Sequence, residues 1–430
     1  LNGNITANGS IQQTSASGTP RKVIFGKSSG SGTLAITSNA ATGLISFASP
    51  ITLKQSASLS AVGNGSISLG LVANDASLAA KNLSASVTGT NGTINLNKSI
   101  GSATSGALAQ ITVDAGASGV INNSGNFLIT SGNGGQSYRG RINLQQSGTS
   151  PANLLTINAG SGNVLVTGDV VGSTSETQDL TITTTGSFQL TGNMGAGTSL
   201  GVITLNSLLS LTLGTTAANT IGAKSLSATN ITGNIVINSA QTYSGNATLQ
   251  GLLDITSGSI LSTTGNITVD AANNLTVGGL NTTGTPSANG KIDLTHRNGK
   301  LTLSGDVNSS NTFVVTSLGA SSITIGGALP ATIQVALGDF NLTKNVTLNQ
   351  DLSILTLGGV TADVLFGGLL DGVTGKSPNL TVSSQGIFGV TGAIGSVQRL
   401  GDIKVNNGTG NQLSALNLLG TITAGSLNSG

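Results

Sequence analysis

Titratable side chains crowd most closely at Asp293, His296, Arg297, Lys300 and Asp306. A carboxylate, an imidazole and a guanidinium on one surface would grip a sugar or relay a proton. The plainer reading of the same run is a solvated turn between two strands. Glu176 and Asp179, with Asp169 seven residues before Glu176, form the closest carboxylate group. Paired carboxylates across a groove serve glycoside cleavage or hold a calcium ion, and a polar loop between Val171 and Leu180 accounts for these three equally well. Tyr138, Arg139 and Arg141, which follow Gly134 and Gly135, would offer an aromatic platform with cationic neighbours to a carbohydrate or a receptor. As a group they also fit a surface loop whose tyrosine covers the core. The candidate ligand-binding residues are therefore Tyr138, Arg139, Arg141, Asp293, His296 and Arg297, and no residue is assigned a catalytic role.

Residue supply removes most other chemistries. There is no cysteine and a single histidine, His296, so disulfides, thiolate metal sites and a histidine-based zinc centre are not expected. No Gly-x-Ser-x-Gly elbow sits between a strand and a helix, and no Gly-Gly-x-Gly-x-Asp array binds calcium. With 64 glycines, phosphate-loop spacings occur by chance. Net charge is only +2, with sixteen basic and fourteen acidic residues scattered along the chain, which speaks against a nucleic-acid partner. No apolar run approaches the ~20 residues of a membrane helix. Neither a cofactor nor an enzyme activity is expected.

The elements that would position these residues are short strands. Period-two alternation recurs at Gly92-Thr-Ile-Asn-Leu96, Asn163-Val-Leu-Val166, Gly265-Asn-Ile-Thr-Val269 and Lys300-Leu-Thr-Leu303, one face aliphatic and the other small and polar. Glycine, asparagine and serine separate them, as at Ser131-Gly-Asn-Gly-Gly135, and supply tight corners. Repetition is visible: Gly265 to Val269 and then Asn274 to Val277 return as Gly290 to Leu294 and then Lys300 to Leu303, a step of 290 − 265 = 25 residues. Gly401-Asp-Ile-Lys-Val405 followed by Gly420-Thr-Ile-Thr423 repeats the phrase. Periods of this size mark a solenoid, in which each coil stacks on the last. Only 7% of residues are charged and 2% aromatic, while 37% are hydrophobic. Stacked coils favour that balance, because like charges directly opposite repel whereas Thr and Asn form ladders. About 20 coils at strand spacing would give a rod on the order of 100 Å.

Ala240 to Leu249, Gly265 to Val277 and Gly392 to Val405 resemble the repeats of very large bacterial exoproteins: filamentous-haemagglutinin-like proteins and giant autotransporter passengers, including the rickettsial surface antigens. The resemblance covers most of the chain. It implies an all-β, right-handed parallel β-helix (β-solenoid), an elongated rod exported across the outer membrane to the bacterial cell surface or beyond. The expectation is one continuous repeat domain over residues 1–430, a segment of a longer exoprotein, acting as a non-enzymatic adhesin. Its partners would be host or bacterial surface glycans or proteins, or copies of itself. A self-assembling surface-layer subunit and a polysaccharide-degrading β-helix enzyme are the alternatives.

Overall fold

The structure is a computed structural model that describes residues 1–430 except 14–21, 28–30, 102–105, 146–152, 263, 284–289, 320, 329, 407–412 and 430. It is an all-β parallel solenoid. The chain forms two compact units, Leu1–Lys224 and Ser225–Gly430. In both, a coil visits three faces in turn, called here first, second and third, and every strand pairs in parallel with its counterpart one coil away. Among the described residues the first face has nine strands in the first unit and seven in the second. That is fewer coils than expected, because coils vary in length: Ile235 and Ile255 are partners 20 residues apart, whereas Ile5 and Ile36 are 31 apart. No α-helix occurs among the described residues, and Gly359–Thr361 is a single 3-10 turn.

Alternation builds the core directly. In the first unit Ile45, Ile67, Ile94, Ile121 and Ile142 are register partners in successive coils, all inward and buried. In the second, Ile255, Leu275, Leu301, Ile323, Val346 and Leu370 form the equivalent column on the first face. β-Branched and leucyl side chains stacked at strand spacing fill such a column without voids. The 25-residue step holds where the sequence placed it, since Ile267 pairs with Ile292 and Leu275 with Leu301. The phrase at Gly401 aligns differently: Ile403 pairs with Leu427, and Ile422 instead bridges to Ile394.

Outward positions form the polar ladders that low charge allows. Asn122 Nδ2 donates to Asn95 Oδ1 at 2.8 Å and Asn143 Nδ2 to Asn122 Oδ1 at 3.2 Å. Thr256, Thr276, Thr302, Thr324 and Thr347 stand in one column on the first face of the second unit.

All eight phenylalanines and both tyrosines point inward. The core is thus aliphatic with aromatic inserts, not purely aliphatic. Four of the phenylalanines interleave between two adjacent inward columns of the second unit, with ring centroids 5.7 Å apart for Phe313 and Phe340, 5.4 Å for Phe340 and Phe366, and 6.2 Å for Phe366 and Phe388.

Candidate functional site

The charged run at 293–306 does not converge. Asp293 projects outward from the third-face strand Ile292–His296, Lys300 begins the first-face strand Lys300–Leu303, and Asp306 stands at the corner before the second-face strand Val307–Ser309. Asp306 Oδ1 accepts the backbone N–H of Thr332 in the next coil at 2.8 Å. Arg297 donates to Asp270 Oδ2 at 2.6 Å. Partial burial, and then repulsion from Asp270, raise the Asp293 carboxyl above its ordinary value.

His296 corrects the sequence reading. It continues the inward set Ile292, Leu294, His296 and is fully buried, stacked between Ala271 and Ser317, with Nε2 hydrogen-bonded to the Ser317 hydroxyl. No partner reaches its Nδ1. It cannot meet a ligand at the surface. Burial lowers its pKa below the usual 6.5, so the ring is neutral in the fold at pH 7. Because unfolding restores the ordinary pKa, the unfolded chain binds the proton more readily. Stability from this residue is complete above about pH 6.5 and falls as pH drops below it, by at most about 1.4 kcal/mol per pH unit. Denaturant titrations across that range should show this slope, and His296→Gln should flatten it.

Tyr138 is also a core residue, 1% exposed, and the platform expected of it does not exist. Its hydroxyl donates to Gln136 Oε1, while Gln136 Nε2 donates to the Asn158 carbonyl at 2.9 Å. The pattern recurs in the second unit: Tyr243 donates to Gln241 Oε1 at 3.0 Å and Gln241 Nε2 to Ser257 Oγ at 2.7 Å. Gln-x-Tyr is therefore an internal clip that satisfies a buried phenol. Burial pushes both phenols far above their ordinary pKa. Arg139 and Arg141 remain on the surface on either side of the Gly140 corner, Arg139 on the first face at 3.4 Å from Asp114 and Arg141 on the second.

The second carboxylate group is structural as well. Asp169 Oδ1 accepts the backbone N–H of Asn193 at 2.7 Å, and Asp179 Oδ1 accepts that of Val202 at 2.6 Å. They serve different faces, and Glu176 lies exposed in the turn between them with φ of 59°. The same rung recurs at Asp254, Asp339, Asp351 and Asp363, each accepting a main-chain N–H from the following coil. Asparagine does the same work at Asn345 and Asn379. Corners are where main-chain donors leave the sheet ladder, so a short side-chain acceptor completes them. Asp363→Ala should cost about 1–3 kcal/mol by orphaning the Ile387 N–H, whereas Asp363→Asn should stay close to the parent. Paired denaturation curves separate the two.

A polar groove of about 220 Å³ lies on the second face of the second unit. Thr332, Ser353, Thr381 and Lys404 form one column along it, and Asp351, Asn379 and Asp402 a second along its edge. The three hydroxyls and the Lys404 ammonium have no partner among the described residues, so they face solvent free to bind. The sequence reading missed this groove because its residues lie 20 to 30 apart and meet only through register; the signal was the outward column itself. Among the described residues, no group of three or more His, Asp or Glu side chains gathers to hold a metal, and no helix is long and apolar enough to cross a membrane.

No protein family, curated protein or solved structure matches the chain. What the geometry says of it therefore rests on its own residues.

Proposed function

We propose that the protein is a non-enzymatic attachment segment, exported to the bacterial surface or released outside the cell, that contacts glycans or proteins of a host, the matrix or other bacteria. The observation that supports this reading is the use made of the carboxylates. Asp169, Asp179, Asp306, Asp351 and Asp363 hold main-chain N–H groups of neighbouring coils, and a side chain fixed in that role is poorly placed to move protons for a substrate. The exterior instead offers hydroxyl and amide columns at strand spacing, with the second-face groove as a place of contact. Continuous ladders and a low density of charge suit a protein that must persist outside the cell. The resemblance of Gly265 to Val277 and Gly392 to Val405 to exoprotein repeats supports the location.

The test is saturable binding of the purified protein to cells and to immobilised matrix components, run beside incubation with polysaccharides. Binding without release of new sugar ends is expected. Polysaccharide cleavage that Asp293→Asn or Asp179→Asn abolishes would overturn the reading in favour of an enzyme.

A further inference from the structure

Asparagine followed by glycine is the pair most prone to spontaneous deamidation, because glycine leaves the next main-chain nitrogen open to the asparagine side chain, and asparagine is among the thermolabile residues. The solenoid treats its Asn-Gly pairs very differently. At Asn91-Gly92 the glycine N–H donates to the Ala115 carbonyl at 3.0 Å, and at Asn133-Gly134 to the Ala109 carbonyl at 3.1 Å. Asn133 Oδ1 is held further by the Ser161 hydroxyl at 2.7 Å. At Asn64-Gly65 the glycine is buried and Asn64 Oδ1 accepts the Asn91 N–H.

Asn298-Gly299 has none of these restraints. Both residues are exposed at the corner between the third and first faces of the second unit, and Gly299 already adopts φ of 73°. The Gly299 N–H has no partner among the described residues. The Asn298 amide has only one contact, Nδ2 to the Ala272 carbonyl at 3.4 Å, beyond ordinary hydrogen-bond length.

We propose that Asn298-Gly299 is a self-modifying site within the wound stack, where the fold permits a reaction that it suppresses at Asn91 and Asn133. The Gly299 nitrogen loses its proton and bonds to Asn298 Cγ. The bond between Cγ and Nδ2 breaks, and Nδ2 leaves as ammonia, closing a succinimide. Water then opens the ring at one carbonyl or the other to give aspartate or isoaspartate, with no change of oxidation state. Either product adds a carboxylate beside Arg297, whose guanidinium already holds Asp270. Isoaspartate also lengthens the main chain by a methylene just before two rungs, Lys300 N–H to Asn274 Oδ1 at 2.9 Å and Ser322 N–H to the Gly299 carbonyl at 3.2 Å. The corner then presents isoaspartate, the substrate class of isoaspartyl methyltransferases. None of this depends on the adhesive reading.

The test ages the full folded protein in warm, mildly alkaline buffer made with oxygen-labelled water, and maps label by peptide mass spectrometry. Asn2 and Asn8, exposed and followed by glycines with unbound N–H groups, serve as internal positive controls. Asn298 should convert alongside them, with Asn91 and Asn133 roughly tenfold slower, the rate equivalent of first releasing a main-chain hydrogen bond. In denaturant the five should converge. Asn298→Gln should remove the isoaspartyl methyl-acceptor signal at this corner. Asn91 or Asn133 keeping pace with Asn298 in the folded protein would overturn the proposal, as would Asn298 staying intact while Asn2 and Asn8 convert.

Discussion

Phe340→Ala is expected to destabilise the second unit by about 3–5 kcal/mol, the range for deleting a fully buried ring. Phe340 sits between Phe313 and Phe366, with centroids 5.7 and 5.4 Å away, and is 0% exposed. Its removal opens a cavity that the stack cannot close, because each coil is fixed at strand spacing by ladders above and below. The two tilted ring contacts are lost as well, each worth about 0.5–1.5 kcal/mol beyond burial. Phe340→Leu keeps most of the volume and should lose markedly less. Urea titration of the two variants beside the parent measures the difference. A loss below about 1 kcal/mol for the alanine variant would mean that the coils do collapse onto one another, and that the column is not the rigid stack described.

The alternation that identifies strands also says which side chains face inward, and that is where the sequence was most legible. Ile267, Leu275, Ile292 and Leu301 take the places their spacing predicts. The same rule, carried one residue further along Ile292, Leu294 and His296, would have buried the histidine, and along Gln136 and Tyr138 it would have buried the tyrosine. Both were read instead through their chemical type and charged neighbours, a weaker signal than phase in a strand. The carboxylates were illegible for another reason. Whether Asp179 acts on a substrate or carries the Val202 N–H depends on a contact 23 residues away, and register, not local composition, creates it. The second-face groove depends on register in the same way: Thr332, Ser353, Thr381 and Lys404 become neighbours only when four coils stack.

Gly195→Ala should be among the most damaging single-methyl additions in the first unit, and the reason can be divided into two measurable parts. Gly195 has φ of 69°, a left-handed conformation that costs an L-residue about 1–2 kcal/mol. A Cβ there would also lie 2.0 Å from the Gly222 carbonyl oxygen of the next coil, a main-chain atom that cannot swing aside. Gly197, two residues on, has a similar φ of 76° but open space around the same position. Gly197→Ala therefore reports the backbone term alone, and the excess loss in Gly195→Ala reports the clash. Asparagine tolerates the left-handed region better than alanine, yet Gly195→Asn should be no milder, because its Cβ meets the same oxygen. The second unit contains the same device: Thr391-Gly-Ala-Ile-Gly395 and Leu400-Gly-Asp-Ile403 repeat Thr191-Gly-Asn-Met-Gly195 and Leu200-Gly-Val-Ile203. Gly395 has φ of 67° with the Thr423 carbonyl oxygen 2.0 Å from a Cβ position. Thermal unfolding of Gly195→Ala, Gly197→Ala and Gly395→Ala should give one mild loss, at Gly197, and two severe ones. Equal losses at Gly195 and Gly197 would show that coil spacing relaxes around an added methyl group, and that these glycines answer only to the turn.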